Sequence, residues 1–147
     1  MENSGTIMPR NTKEEIRNAS KLCKETEILF YGLVILGLPG ETEATVNDTI
    51  EFIKEIDPFY TQFCFAVPFP NTEIYKYFKE KNLLLTEDWD LYCPLNLDPV
   101  IRTEQLSKED LIRLRKKAYK KILFRPSLNR LSAKITTKNS MLNGFTI

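Results

Sequence analysis

The spacing of apolar positions changes repeatedly along this chain, and each change marks an element. Thr12 and Glu15 form a T-x-x-E capping box, and Ile16, Ala19, Leu22 and Cys23 follow at helical spacing, which predicts a helix to about residue 25. Residues 28–36 are almost continuously apolar and rich in β-branched and aromatic side chains, the pattern of a strand covered on both faces in a parallel sheet. Thr42 is the expected cap of a second helix that turns Val46, Ile50 and Ile53 inward. It should end at Asp57-Pro58, because a residue before proline is driven out of the α region. Residues 60–67 read as a second strand with two unlike rows, Phe63, Phe65 and Val67 on one side and Gln62, Cys64 and Ala66 on the other. Thr72 opens a third helix packing through Ile74, Tyr75 and Phe78, and Asn82 sits where a left-handed residue closes such a helix.

Helix, strand, helix, strand, helix is a β/α repeat, so the two strands should pair in parallel through a right-handed crossover. Helices cover the bulky row of the second strand on this reading, and the row of Gln62, Cys64 and Ala66 faces a lumen. After Leu85 the periodicity is lost until Ser107, which with Asp110 caps a last helix. That helix turns Leu111, Leu114, Ala118 and Ile122 inward and Arg113, Lys116, Lys117 and Lys120 outward, and Arg125-Pro126 ends it. The expected organisation is residues 1–85 as two β/α units, 86–126 as an extension with the basic helix, and 127–147 as a weakly ordered tail.

Charge sharpens this division. Residues 1–100 carry 9 basic and 17 acidic side chains and residues 101–147 carry 12 and 3, although the whole chain is only +1. Such asymmetry suits either a basic contact surface or one half docking on the other. The 3 cysteines are widely separated and fit neither a disulfide framework nor a CxxC metal site, so free thiols in a reducing, cytoplasmic setting are expected. With no histidine, the commonest general base and nitrogen ligand are missing. The apolar run before Gly37 is shorter than the roughly 20 residues a bilayer requires, so no membrane partner is expected, and none of nucleic acid either.

The candidate chemistry lies where the first strand stops, at Gly37-Leu-Pro-Gly-Glu-Thr42. A strand end running through a glycine turn into a capped helix is where α/β folds bind ligands. Together with Asp57-Pro58, the Gln62-Phe63 strand, Pro68-Phe-Pro-Asn-Thr72, Trp89-Asp90 and Ala118-Tyr119, in that order, it resembles the radical S-adenosylmethionine superfamily, in particular its cobalamin-linked subgroup. Met1-Glu-Asn-Ser-Gly5 is similar to a turn after that family's fourth strand. The resemblance implies the C-terminal portion of a (β/α)6 partial TIM barrel with parallel strands, followed by a helical extension. It also implies S-adenosylmethionine bound by Gly37, Pro39, Gly40, Glu41, Gln62, Val67 and Pro68, with Val67 and Pro68 on the adenine side. A [4Fe–4S] cluster belongs to the family, as does cobalamin in its full-length members, yet the cluster-binding CxxxCxxC is nowhere in this chain.

The chain is therefore expected to be a fragment or subunit of such an enzyme, with no catalytic residue or metal ligand of its own, and to need an upstream barrel half or another polypeptide. The alternative is a noncatalytic remnant or interaction module. The residues themselves keep plainer roles open. Gly37, Pro39 and Gly40 suit an ordinary tight turn, Glu41 a helix N-terminal charge, and Gln62 a hydrogen bond within the wall. Trp89 and Tyr92 suit a plug on an open side, and the basic helix a solvated face.

Overall fold

The computed structural model describes residues 11–123. The elements run α1 (Lys13–Glu25), β1 (Tyr31–Leu36), α2 (Glu43–Ile56), β2 (Tyr60–Phe65), α3 (Glu73–Glu80), a short 3-10 turn (Trp89–Leu91) and α4 (Lys108–Leu123). The expected turn at residues 1–5, the helix end at Arg125-Pro126 and the tail from 127 lie outside the described residues.

The local signals act as the pattern requires. Thr12 caps α1 in a full capping box with Glu15, and Thr42 caps α2 by accepting from Thr45 N–H at 3.2 Å. Asp57 takes the left-handed conformation that ends α2, with φ of 42°, and Asn82 does the same after α3 with φ of 54°. Ser107 and Asp110 cap the start of α4 reciprocally.

β1 and β2 pair in parallel with Tyr31 opposite Tyr60 and Leu36 opposite Phe65. Val46, Ile50 and Ile53 of α2, Phe78 of α3, and Leu111, Leu114, Ala118 and Ile122 of α4 form one core with Val34, Leu36, Phe63 and Phe65. These inward-facing residues follow the helical and strand periods of the sequence. None of the described helices is long and apolar enough to cross a membrane.

The expected portion of a (β/α)6 partial TIM barrel is not formed. The described residues make a small α/β unit of four α-helices and a two-stranded parallel sheet covered on one face. Among the described residues no third strand joins the sheet; the proline-interrupted segment after α3 contributes only one antiparallel bridge, Leu84 to Ile101. The described residues therefore enclose no lumen, and Gln62 and Cys64 lie half-buried on an open face. β1 is not covered on both faces either: Tyr31, Leu33 and Ile35 are exposed while Val34 and Leu36 are buried. α1 is likewise shallow. Leu22 is exposed, and the residue it buries is Ser20, whose hydroxyl donates to the Ile56 carbonyl at 2.8 Å.

Part of the charge asymmetry is met by contacts within the molecule. Arg113 and Lys117 of α4 pair with Glu43 of α2, and Lys121 pairs with Glu51. Three of the basic residues at the end of the chain thus fasten α4 to the acidic first half, while Lys116 and Lys120 remain exposed.

Candidate functional site

Parallel pairing brings the C-terminal ends of both strands to one rim, where Ala66 N–H donates to the Leu36 carbonyl at 2.8 Å. Gly37, Pro39, Gly40 and Glu41 leave one strand at this rim, and Val67 and Pro68 leave the other. Gln62 is not with them. It pairs with Leu33 on the open face, about 10 Å back along the strand from Phe65.

The two glycines of the first turn differ in role. Gly37 has φ of 89°, and a Cβ there would lie 2.6 Å from Ile101 Cδ1, so this glycine lets the chain's own core close over the strand end. Gly40 has φ of 78°, and a Cβ there would meet nothing within 4 Å. It needs glycine only for the turn, and the space beside it is open. Glu41 folds back so that its Oε2 accepts the Gly37 N–H at 2.5 Å. Burial pushes the Glu41 carboxyl upward in pKa, partly offset by that hydrogen bond. Its Oε1 takes no hydrogen bond from the described residues, so the rim holds one partly desolvated acceptor beside an open backbone turn.

The second turn is closed by Asn71 in the left-handed conformation, φ of 62°, which matches its place where a glycine would otherwise stand. Pro68 is fully buried, Val67 is half-buried, and Phe69 projects 49% exposed. Phe69 is a rim aromatic that sequence reasoning passed over. An aromatic between two prolines in a turn was the signal available.

Three other side chains have structural roles. Trp89 stacks on Tyr75 of α3 and packs against Tyr92, whose hydroxyl donates to the Thr86 carbonyl at 3.0 Å; this pins the loop to α3 and plugs no barrel. Arg115, which the helical pattern did not single out, is buried. It donates to the carbonyls of Asn96 and Leu97 at 2.8 and 2.6 Å and lies 4.2 Å from the Phe65 ring centroid. Tyr119 offers its hydroxyl to the Phe63 N–H at 3.1 Å.

A separate cavity of about 540 Å³ opens between α1 and the end of α2, lined by Arg17, Ser20, Lys24, Glu55 and Ile56 among others. It lies at the opposite end of the strands from the rim. Its walls carry ion pairs such as Arg17 with Glu55, so it reads as a surface furrow between helices.

No protein-family model matches the chain. The chain is, however, similar to methyltransferases. It is 35% identical over 117 residues to an uncharacterized methyltransferase of Pyrococcus horikoshii, a match spanning 80% of this chain and 25% of that protein. It is 24% identical over 95 residues to the bacteriochlorophyllide d C-8(2)-methyltransferase of Chlorobaculum tepidum, spanning 65% of this chain and 21% of that protein. The match thus covers no more than a quarter of either relative's length.

Proposed function

We propose that this chain forms part of the S-adenosylmethionine-binding surface of a methyl-transferring enzyme of the radical S-adenosylmethionine type, with the ligand lying along the rim where β1 and β2 end. The observation that carries this reading is the pairing of two turns at one strand end, one with open space at Gly40 and the half-buried Glu41 carboxylate, in a chain similar to methyltransferases. Bound S-adenosylmethionine supplies a sulfonium-activated carbon centre. Glu41 Oε1 is an acceptor for a hydroxyl or ammonium donor of the ligand, and Gly40 lets the ligand approach the backbone closely. Val67 and Phe69 offer an apolar surface to the adenine, with the buried Pro68 behind them. Gly37 and Pro39 hold the turn in shape, and Gln62 serves the open face instead.

The chain's residues do not fit an iron–sulfur cluster. Cys23 stands on α1, Cys64 on β2 and Cys93 in the loop after the 3-10 turn, and no three potential ligands among the described residues converge on a metal. Nor is there a histidine to ligate cobalamin. Neither group enters the role proposed for this chain. A second reading, a noncatalytic interaction module, is favoured by one observation: none of the described helices covers the apolar face of the sheet that carries Tyr31, Leu33 and Ile35.

The test is amide chemical-shift mapping of the full chain during titration with S-adenosylmethionine. We expect weak, saturable binding with shifts concentrated at Gly40, Glu41, Val67 and Phe69. Shifts confined to the α1–α2 furrow, or none at millimolar ligand, would overturn the reading and leave the interaction module.

A further inference from the structure

We propose that Ile101 is a positioning residue for the ligand of the rim, acting through Gly37 on the Glu41 carboxylate. This role rests on the S-adenosylmethionine reading of the rim and adds to it a residue more than sixty positions along the chain.

Two constraints meet at Gly37, which is buried. Its N–H donates to Glu41 Oε2 at 2.5 Å. Where its side chain would begin, a Cβ would lie 2.6 Å from Ile101 Cδ1 and 3.5 Å from Leu111 Cδ1. Glycine has no side chain to select its own backbone angles, so the φ of 89° here is fixed by what surrounds it. The Ile101 methyl is the nearest wall, and Leu111 flanks it at ordinary contact distance. Displacement of Gly37 would take away the one donor that Glu41 has among the described hydrogen bonds and turn Oε1 out of line with the ligand.

The wall is itself held firmly, and from the far end of α3. Ile101 is fully buried and bridges Leu84, with Leu85 N–H donating to the Val100 carbonyl at 2.9 Å and Arg102 N–H to the Leu83 carbonyl at 3.0 Å. The Arg102 guanidinium donates to the Asn82 carbonyl at 3.1 Å. A little further on, Glu104 accepts from the Lys81 ammonium at 2.7 Å and from the Tyr77 hydroxyl. Ile101 is thus a fixed point carried by a different part of the chain from the turn that it braces. A binding group supported in this way keeps its aim within a fraction of an ångström, which is what directional hydrogen bonding to a ligand requires.

The experiment uses the full chain and two matched variants. Ile101→Val removes the Cδ1 methyl that meets Gly37; Ile50→Val makes the same deletion at a fully buried site of the α2 core. Both should keep the circular dichroism of the wild type. Amide chemical-shift titration gives the S-adenosylmethionine affinity, and hydrogen exchange without ligand gives the Gly37 rate relative to that of Val34. We expect Ile101→Val to weaken binding about fivefold while Ile50→Val leaves it within about twofold of the wild type. Without ligand, Gly37 should exchange about tenfold faster relative to Val34 in Ile101→Val only. Equal affinity losses in the two variants would mean that Ile101 serves only general core stability, and would overturn the proposal. Weaker binding with Gly37 exchange unchanged would overturn it as well, because the effect would not run through the turn. If the wild type binds at the rim and Ile101→Val binds equally well, this role alone fails. If the wild type shows no rim binding, the S-adenosylmethionine reading fails and this role with it.

Discussion

Val34 and Leu33 are adjacent on β1 and meet opposite surroundings: Val34 is 9% exposed and Leu33 is 74% exposed. The same contrast runs the length of the sheet. On one side α2, α3 and α4 close over Leu36, Phe63 and Phe65; on the other, Tyr31, Leu33 and Ile35 have no cover among the described residues. The two outer edges differ as well. At β2 the Phe63 N–H is taken by the Tyr119 hydroxyl, whereas β1 has no neighbour on its outer side among the described residues. The helical side accounts for the stability of the unit. The open side, the open edge and the rim between them are where it can engage something else.

The largest effect that would break this contrast falls on Arg115. Arg115→Ala removes two hydrogen bonds to the loop carbonyls and the stacking on Phe65, and should cost about 3 kcal/mol in chemical denaturation. Tyr119→Phe is subtler. It keeps the edge-on contact with Phe63 but strips the hydroxyl from the strand edge, costing about 1 kcal/mol and speeding exchange of the Phe63 amide.

Acid should loosen the helical side more gently. The Arg113 guanidinium and then the Lys117 ammonium hold Glu43 down to about 2, and Lys54 followed by Lys121 does the same for Glu51. Both folded values lie below the ordinary 4.5. Their contribution is thus complete above about 4.5 and lost as pH falls toward about 2, and thermal melts across that window should decline, less steeply in high salt. These pairs are exposed, so the decline should be modest. Smallest of all, Leu33→Ser should change the stability of the dilute chain by no more than about 0.5 kcal/mol. A loss of the size seen for a core leucine would mean that the face is covered after all.

Much of the helical side was legible in the sequence because its signals are local. The caps at Thr12, Thr42 and Ser107, the helix end at Asp57-Pro58, the left-handed stop at Asn82 and the inward stripe of α4 each depend on residues a few positions apart. What was not legible depends on partners far along the chain. The apolar run before Gly37 has the composition of a strand buried on both faces, yet composition cannot say whether a second layer arrives; among the described residues none does. Resemblance then suggested a barrel that two strands cannot close. At the rim, Gly37 read as a ligand contact, and only the approach of Ile101, more than sixty positions away, shows that its missing side chain makes room for the core. Arg115 and Tyr119 were hidden for the same reason, since their partners lie on the long loop and on β2.

Residue-resolved hydrogen exchange of the full chain tests the contrast most directly. The N–H and C=O of one strand residue point to the same side, and Leu36 accepts from Ala66, so Val34 and Leu36 face β2 while Leu33 and Ile35 face outward. The account predicts strong protection of Val34, Leu36 and the Tyr119-capped Phe63, with Leu33 and Ile35 exchanging about a hundredfold faster or more. Cover over the open face would leave that alternation in place, because it would bury side chains and not the outer edge. Protection of Leu33 and Ile35 equal to that of Phe63 would contradict the account, since it would require a strand or helix already lying along the edge described here as open.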